Sequence, residues 1–383
     1  MPQLRQADLV QRRLAGVASL LLRAELPSSA RRRIPRSIRS IDPIELLRLV
    51  LVIAQGAMIA VTWPLWQART DIPNLPLIDG LPQTGVVWVL LATLVLTVAR
   101  PREGIVVHVL VLAYALMADQ MRLQPEWISV ALLLVATGPW RHARTLGWAH
   151  LGSLWLWAGM AKLTSAGFEA TSAHTVATNL GVSSLAPVLT WAIPLFEVAL
   201  GVAVARTAWR SNAIGPAVLL HAGSIVVLRM GLDWEIFWWN LALVASALVL
   251  LRPERARGPR PRSGGRVSLT TQAGLRTALV VGLYLYPAGM YVGLVDPYLG
   301  YNLYAGSNPT ADVCDVNGCT RYAINISGAA IGTQVPTSPR IFEAWFQSIC
   351  RPGDELRITG MKLRPPLDGL DVAQPSSSTC DRG

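Results

Sequence analysis

Three ionisable side chains stand inside otherwise apolar runs. Lys162 closes the aromatic stretch of LWLWAGMAKLTSAGF (154–168), Glu197 interrupts IPLFEVALGVAVA (193–205), and His221 follows two leucines in LLHAGSIVV (219–227). An amine, a carboxylate and an imidazole accept and pass protons, and each is expensive to keep in hydrocarbon, so each is a site hypothesis by default. Lys162 carries a further signal. The chain has 34 lysines and arginines, and just two, Lys162 and Lys362, are lysine. Arginine anchors a helix end equally well but holds its proton under ordinary conditions, whereas a desolvated lysine can release it. A lysine kept where arginine would serve points to a need for a neutral amine. Burial favours that neutral amine, and a nearby carboxylate opposes it. Each residue also has a plainer reading. Lys162 can reach the membrane surface along its own stem. Glu197 can pair with an arginine on a neighbouring helix, and His221 can sit neutral and hydrogen-bonded in a bundle. Asp119, Arg122, Arg229 and Glu235 lie near the ends of similar apolar runs and are expected to line the same polar pocket. His150 precedes Lys162 by twelve residues, about 18 Å along a helix, and is not expected to touch it.

The elements that carry these residues are membrane helices. Of the 383 residues 52% are hydrophobic and 15% charged, against about 25% charged in soluble domains. Apolar runs near 44–66, 85–100, 104–120, 126–140, 146–165, 187–205, 213–230, 235–251 and 272–293 are read as nine spans. The fourth is the weakest, being short and bracketed by prolines. With the N-terminus in the cytoplasm, inside segments hold 21 arginines, and outer loops and helix ends hold only Arg69, Arg122, Lys162 and Arg229. That asymmetry sets the orientation in the cell membrane. It also explains a net charge of +11 without nucleic acid. Nine spans put the C-terminal segment outside.

Cysteine usage agrees with that orientation. Cys314, Cys319, Cys350 and Cys380 all follow the last span, where disulfides form. Cys314 and Cys319 flank the turn-like DVNG, so the pairs expected are Cys314–Cys319 and Cys350–Cys380. No CxxC or histidine partner follows Cys314, so no metal is expected.

Three zones result: a basic cytoplasmic N-terminal segment (1–43), a helical transmembrane domain (44–293), and a small extracytoplasmic α+β domain (294–383). QRRLAGVASLLLRAEL near the N-terminus has too short an apolar run for a signal peptide and reads as an amphipathic segment on the anionic inner leaflet. In the outer domain RYAINI and GDELRITGMKL read as strands. SPRIFEAWFQSIC reads as a helix capped by Ser338 with Pro339 at its first position, and DVAQPSSSTCDRG as irregular apart from its cysteine.

The stretch AGMAKL with Phe168 soon after resembles the AGVKKL…W motif of the vitamin K-dependent gamma-carboxylase, a member of the broader HTTM membrane family. Lys162 falls on the second lysine of that motif. LLHAGSIVVLRMGLDWEIFWW resembles the carboxylase stretch in which a histidine precedes a phenylalanine-rich helix, and His221 falls on that histidine. PIELLRLVLVIAQGAMIAVTWPLW and ADQMRLQPEW are also similar to HTTM sequences, so the likeness covers roughly 44–251. The first lysine of the family pair is Ala161 here, and the asparagine after the histidine is Ser224. The resemblance implies a polytopic helical fold, a pocket open to the outer leaflet, a lipid-soluble substrate, a membrane quinone as cofactor, and Lys162 as the general base, with His221 orienting or assisting and Glu197 supplying charge. IPLFEVALGVAVA and AGMAKL are also similar to the DoxX and MauE group. That likeness implies a non-catalytic accessory holding an extracytoplasmic redox or protein partner, with Lys162 charged and paired. Both readings stand on the sequence, enzyme or accessory; a transporter ranks below them because no broken-helix pair or repeat is visible.

Overall fold

The computed structural model describes residues 42–69, 74–227, 234–253, 269–302, 304–321 and 331–380. The chain divides into two units, up to Leu46 and from Leu47 onward; of the first, only Asp42–Leu46 is described.

Among the described residues nine helices replace the nine apolar runs: α1 Pro43–Val61, α2 Val86–Ala99, α3 Pro101–Ala118, α4 Pro125–Ala136, α5 Ala143–Thr164, α6 Ala186–Ala205, α7 Ile214–Val227, α8 Trp234–Leu250 and α9 Leu269–Leu285. Four of the described helical stretches are long and apolar enough to cross a membrane: Pro43–Val61, Pro101–Ala118, Ser183–Ala205 and Ala273–Val292. The fourth expected span is shorter than its apolar run. Helix α4 has 12 residues, about 18 Å, against a hydrocarbon core of about 30 Å. Pro125 opens it, and Gly138 and Pro139 follow just after its end. The first run also ends early: after Val61 the chain tightens into the 3₁₀ turn Trp63–Trp66.

Helix α5 packs against α4, α6, α8 and α9. Small residues let its backbone approach α6 closely. A Cβ built on Gly201 would lie 2.6 Å from the Leu156 backbone nitrogen, and one on Gly159 would lie 2.6 Å from the Pro194 carbonyl oxygen. This seam brings the C-terminal end of α5 level with the middle of α6, and so sets Lys162 opposite Glu197.

After α9 and the 3₁₀ stretch Tyr286–Val292 the chain turns back onto the helices. Tyr298, Tyr301, Asn302, Ala305 and Ser307 are all buried, and Ala305 packs with Ala161 and Met290. Beyond it lies a four-stranded antiparallel sheet in the order β2-β1-β3-β4, with β1 Thr310–Asp315, β2 Gly318–Arg321, β3 Glu355–Thr359 and β4 Ser376–Thr379. Helix α10, Pro339–Ile349, lays Phe342 and Phe346 on Ala311, Leu356 and Ile358. Cys314–Cys319 closes the β1–β2 hairpin across paired residues, and Cys350–Cys380 ties the end of α10 to the chain after β4. The helix begins where its proline predicts and Ser338 holds the N-cap position, but its side chain makes no capping hydrogen bond; its hydroxyl donates to Asp296 Oδ1 at 2.7 Å. Within the tail expected to be irregular, Ser376–Thr379 forms β4. Of RYAINI, only Arg321 lies within the described residues, at the end of β2.

Candidate functional site

Lys162 lies at the end of α5, two residues before Thr164, and its ammonium turns inward. Nζ is 2.7 and 2.9 Å from the two Glu197 carboxylate oxygens and 3.3 Å from the Ala158 carbonyl. Three N–H donors therefore have three acceptors, which is the arrangement of an ammonium. Lys162 and Glu197 are each 8% exposed, so the lysine does not extend to the surface along its stem. Pro194 sits inside α6 three residues before Glu197, where it removes one backbone N–H from the ladder.

His221 on α7 is held at both nitrogens. Trp155 Nε1–H donates to His221 Nε2 at 2.9 Å, which leaves that nitrogen as an acceptor. Nδ1 then carries the proton and donates to Asn240 Oδ1 at 2.8 Å. The amide of Asn240 is fixed in turn, because its Nδ2 donates to the Ile236 carbonyl at 2.8 Å. The imidazole is neutral with one tautomer imposed by three helices.

Lys162, Glu197 and His221 line one cavity of about 90 Å³. Leu154, Trp155, Leu220, Ile236 and Trp239 supply its apolar wall, and Ser224, Asn240, Tyr301 and Tyr304 add polar groups. The chemistry on offer is a charged pair, an oriented imidazole and two phenols in an aromatic-walled space. Among the described residues no cluster of three or more metal-type side chains occurs.

The structure groups the other expected pocket residues elsewhere. Asp119 and Arg122 form a separate buried cluster with Arg69. Asp119 accepts from Arg69 at 2.5 Å and from the backbone N–H groups of Leu75 and Met121. Arg122 donates to the carbonyls of Leu65 and Ala115 and to Gln83 Oε1, and its guanidinium lies 5.6 Å from the Trp66 ring centroid. Burial pushes this guanidinium down to about 10, with Asp119 opposing the shift and Arg69 adding to it; it stays charged at neutral pH. Glu235 is buried at the start of α8 but does not line the cavity. Arg229 lies outside the described residues. Sequence reasoning overlooked Asn240, a polar residue in an apolar helix that the same cost argument could have flagged. It also overlooked Tyr301 and Tyr304, for which no local signal exists.

Compared with known proteins, the chain matches no family model, no curated protein and no solved structure.

Proposed function

We propose that the chain is an HTTM-like, nine-span protein of the cell membrane that binds a lipid-soluble substrate of the quinol class in the Lys162–Glu197–His221 cavity. Its N-terminus is cytoplasmic and its disulfide-bonded domain faces outward, as the arginine asymmetry and the cysteine positions support. The observation that carries the functional reading is the convergence of the charged pair and the oriented His221 on one aromatic-walled cavity. Its aromatic wall and polar groups support a ring with hydroxyl oxygens, and at about 90 Å³ the cavity must widen to admit one. The resemblance at AGMAKL and around His221 supports the same class. The Lys162 geometry favours a role as fixed charge over a role as base: an ammonium whose three donors are taken stabilises negative charge on a substrate oxygen when the pair opens toward it.

The test is to purify the protein in lipid nanodiscs and identify co-purifying lipids by mass spectrometry. A membrane quinone should accompany the wild type and be lost from the Lys162→Met/Glu197→Leu double variant, which removes both charges together and leaves no lone ion. A quinone-free wild type overturns the reading. The closed Lys162–Glu197 pair also favours a second reading, in which the pair is a clamp and the chain is a DoxX- or MauE-like accessory that presents its outer domain to a redox partner. In that case the double variant complements a deletion strain in full.

A further inference from the structure

A second hydrogen-bonded chain reaches the same cavity. Tyr301, one of its lining residues, places its hydroxyl 3.2 Å from His150 Nδ1. His150 Nε2 lies 2.8 Å from Ser129 Oγ on α4. Ser129 and His150 are fully buried, and Tyr301 is 8% exposed. The sequence places these residues far apart: His150 is 151 positions before Tyr301, which follows the last long helix. The backbone of this segment is strained. Tyr301 has φ 65° and Tyr304 has φ 55°, a left-handed conformation costing on the order of 1–3 kcal/mol for a bulky residue. Both strained residues are phenols that line the cavity.

We propose that Tyr301, His150 and Ser129 form the proton-accepting arm of the site. This inference rests on the proposed substrate-binding role of the cavity. Nε2–H of His150 donates to Ser129 Oγ, which leaves Nδ1 to accept from the Tyr301 hydroxyl. A substrate hydroxyl in the cavity donates to the Tyr301 oxygen. As its O–H bond breaks, a new O–H bond forms on Tyr301, and the original phenol proton moves to His150 Nδ1. Tyr301 ends unchanged, His150 is an imidazolium, and the substrate is an oxyanion. The Lys162 ammonium on the same cavity supplies the opposite charge. The site thus divides its labour: Lys162 and Glu197 manage charge, and Tyr301 exchanges the proton with His150 acting through it. His221 cannot take the second role without giving up its bond from Trp155.

The experiment compares Tyr301→Phe and His150→Gln in a deletion strain, with membrane abundance and thermal unfolding recorded. Decylubiquinone binding is followed in nanodiscs by quenching of tryptophan emission. In His150→Gln the new amide keeps a donor toward Ser129 and an acceptor toward Tyr301 but cannot take up a proton. Abundance within about two-fold of wild type, decylubiquinone affinity within about three-fold for His150→Gln, and no complementation by either variant is the expected result; loss of a general base costs about 10²–10⁴-fold. Full complementation by His150→Gln overturns the relay, because hydrogen bonding alone then suffices. Full complementation by Tyr301→Phe at normal abundance overturns it too, and this variant decides the matter if His150→Gln does not accumulate. If the wild type fails to bind decylubiquinone while both well-folded variants fail to complement, the quinol reading falls and the relay stands.

Discussion

Two buried ion-pair clusters of the molecule, around Asp119 and around Lys162, are built differently. Around Asp119 the backbone supplies most of the partners. The carboxylate takes two backbone N–H groups as well as Arg69, and Arg122 gives donors to two main-chain carbonyls and a glutamine. Around Lys162 the pair depends on itself. Among the described residues Glu197 takes hydrogen bonds from Lys162 alone, and Lys162 has one backbone partner, Ala158, at 3.3 Å. Asp119, Arg122 and Arg69 do not line the cavity that holds Lys162, Glu197, His221 and Tyr301. Charges locked by main-chain groups fix a fold and cannot be redirected. Charges satisfied mainly by each other, beside open space, can turn to a third party at the cost of one pair.

The largest effect should come from the locked cluster. Asp119→Ala leaves two guanidiniums, Arg69 and Arg122, close together without their shared carboxylate, and it frees two buried N–H groups. Removing one member of a buried pair costs about 3–5 kcal/mol, so this variant should not accumulate in membranes, as a blot against the wild type will show. Normal abundance would break the contrast between the clusters. Gly201→Ala comes next. Its new Cβ meets the α5 backbone, and overpacking of this kind costs about 1–3 kcal/mol. The helices must part at Gly152 and Leu156, one turn of α6 from Glu197, so thermal stability should fall and quinone binding should weaken together. Lys162→Met/Glu197→Leu should be milder, within about 1 kcal/mol of wild type or stabilising, because both charges go at once. If it is as damaging as Asp119→Ala, the contrast between the two clusters breaks.

The sequence shows the cost of polar groups more readily than their partners. Lys162, Glu197 and His221 stand out because apolar neighbours make each of them conspicuous, and the structure brings all three to one cavity. Asp119 and Arg122 stand out equally, yet they belong to another cluster, since position at a helix end does not say which face a side chain takes. The cysteine pairing is legible from a turn between Cys314 and Cys319. Strand β4 is not: Ser376–Thr379 is SSST, with weak strand propensity, and it forms by pairing with β3 beside the Cys350–Cys380 link. Tyr301 is the least legible. Its place after the last apolar run suggests an outer domain, and only tertiary folding returns it to His150.

Lys162→Arg has the smallest expected effect on stability and separates charge from basicity. A guanidinium keeps the positive charge and pairs with a carboxylate through two parallel bonds, so the Glu197 pair should survive. The unfolding free energy should stay within about 1 kcal/mol of wild type, the range expected when a side chain is exchanged without orphaning a buried partner. The larger head does enter a cavity of about 90 Å³, so decylubiquinone affinity should drop several-fold by tryptophan quenching, while complementation persists. A base would behave otherwise. Arginine cannot accept a proton at neutral pH, and losing a general base costs about 10²–10⁴-fold. If Lys162→Arg is stable, binds the quinone within about ten-fold of wild type and fails to complement, then Lys162 itself must shed a proton in the working protein. The closed pair with Glu197 would then be a resting state that the substrate has to open.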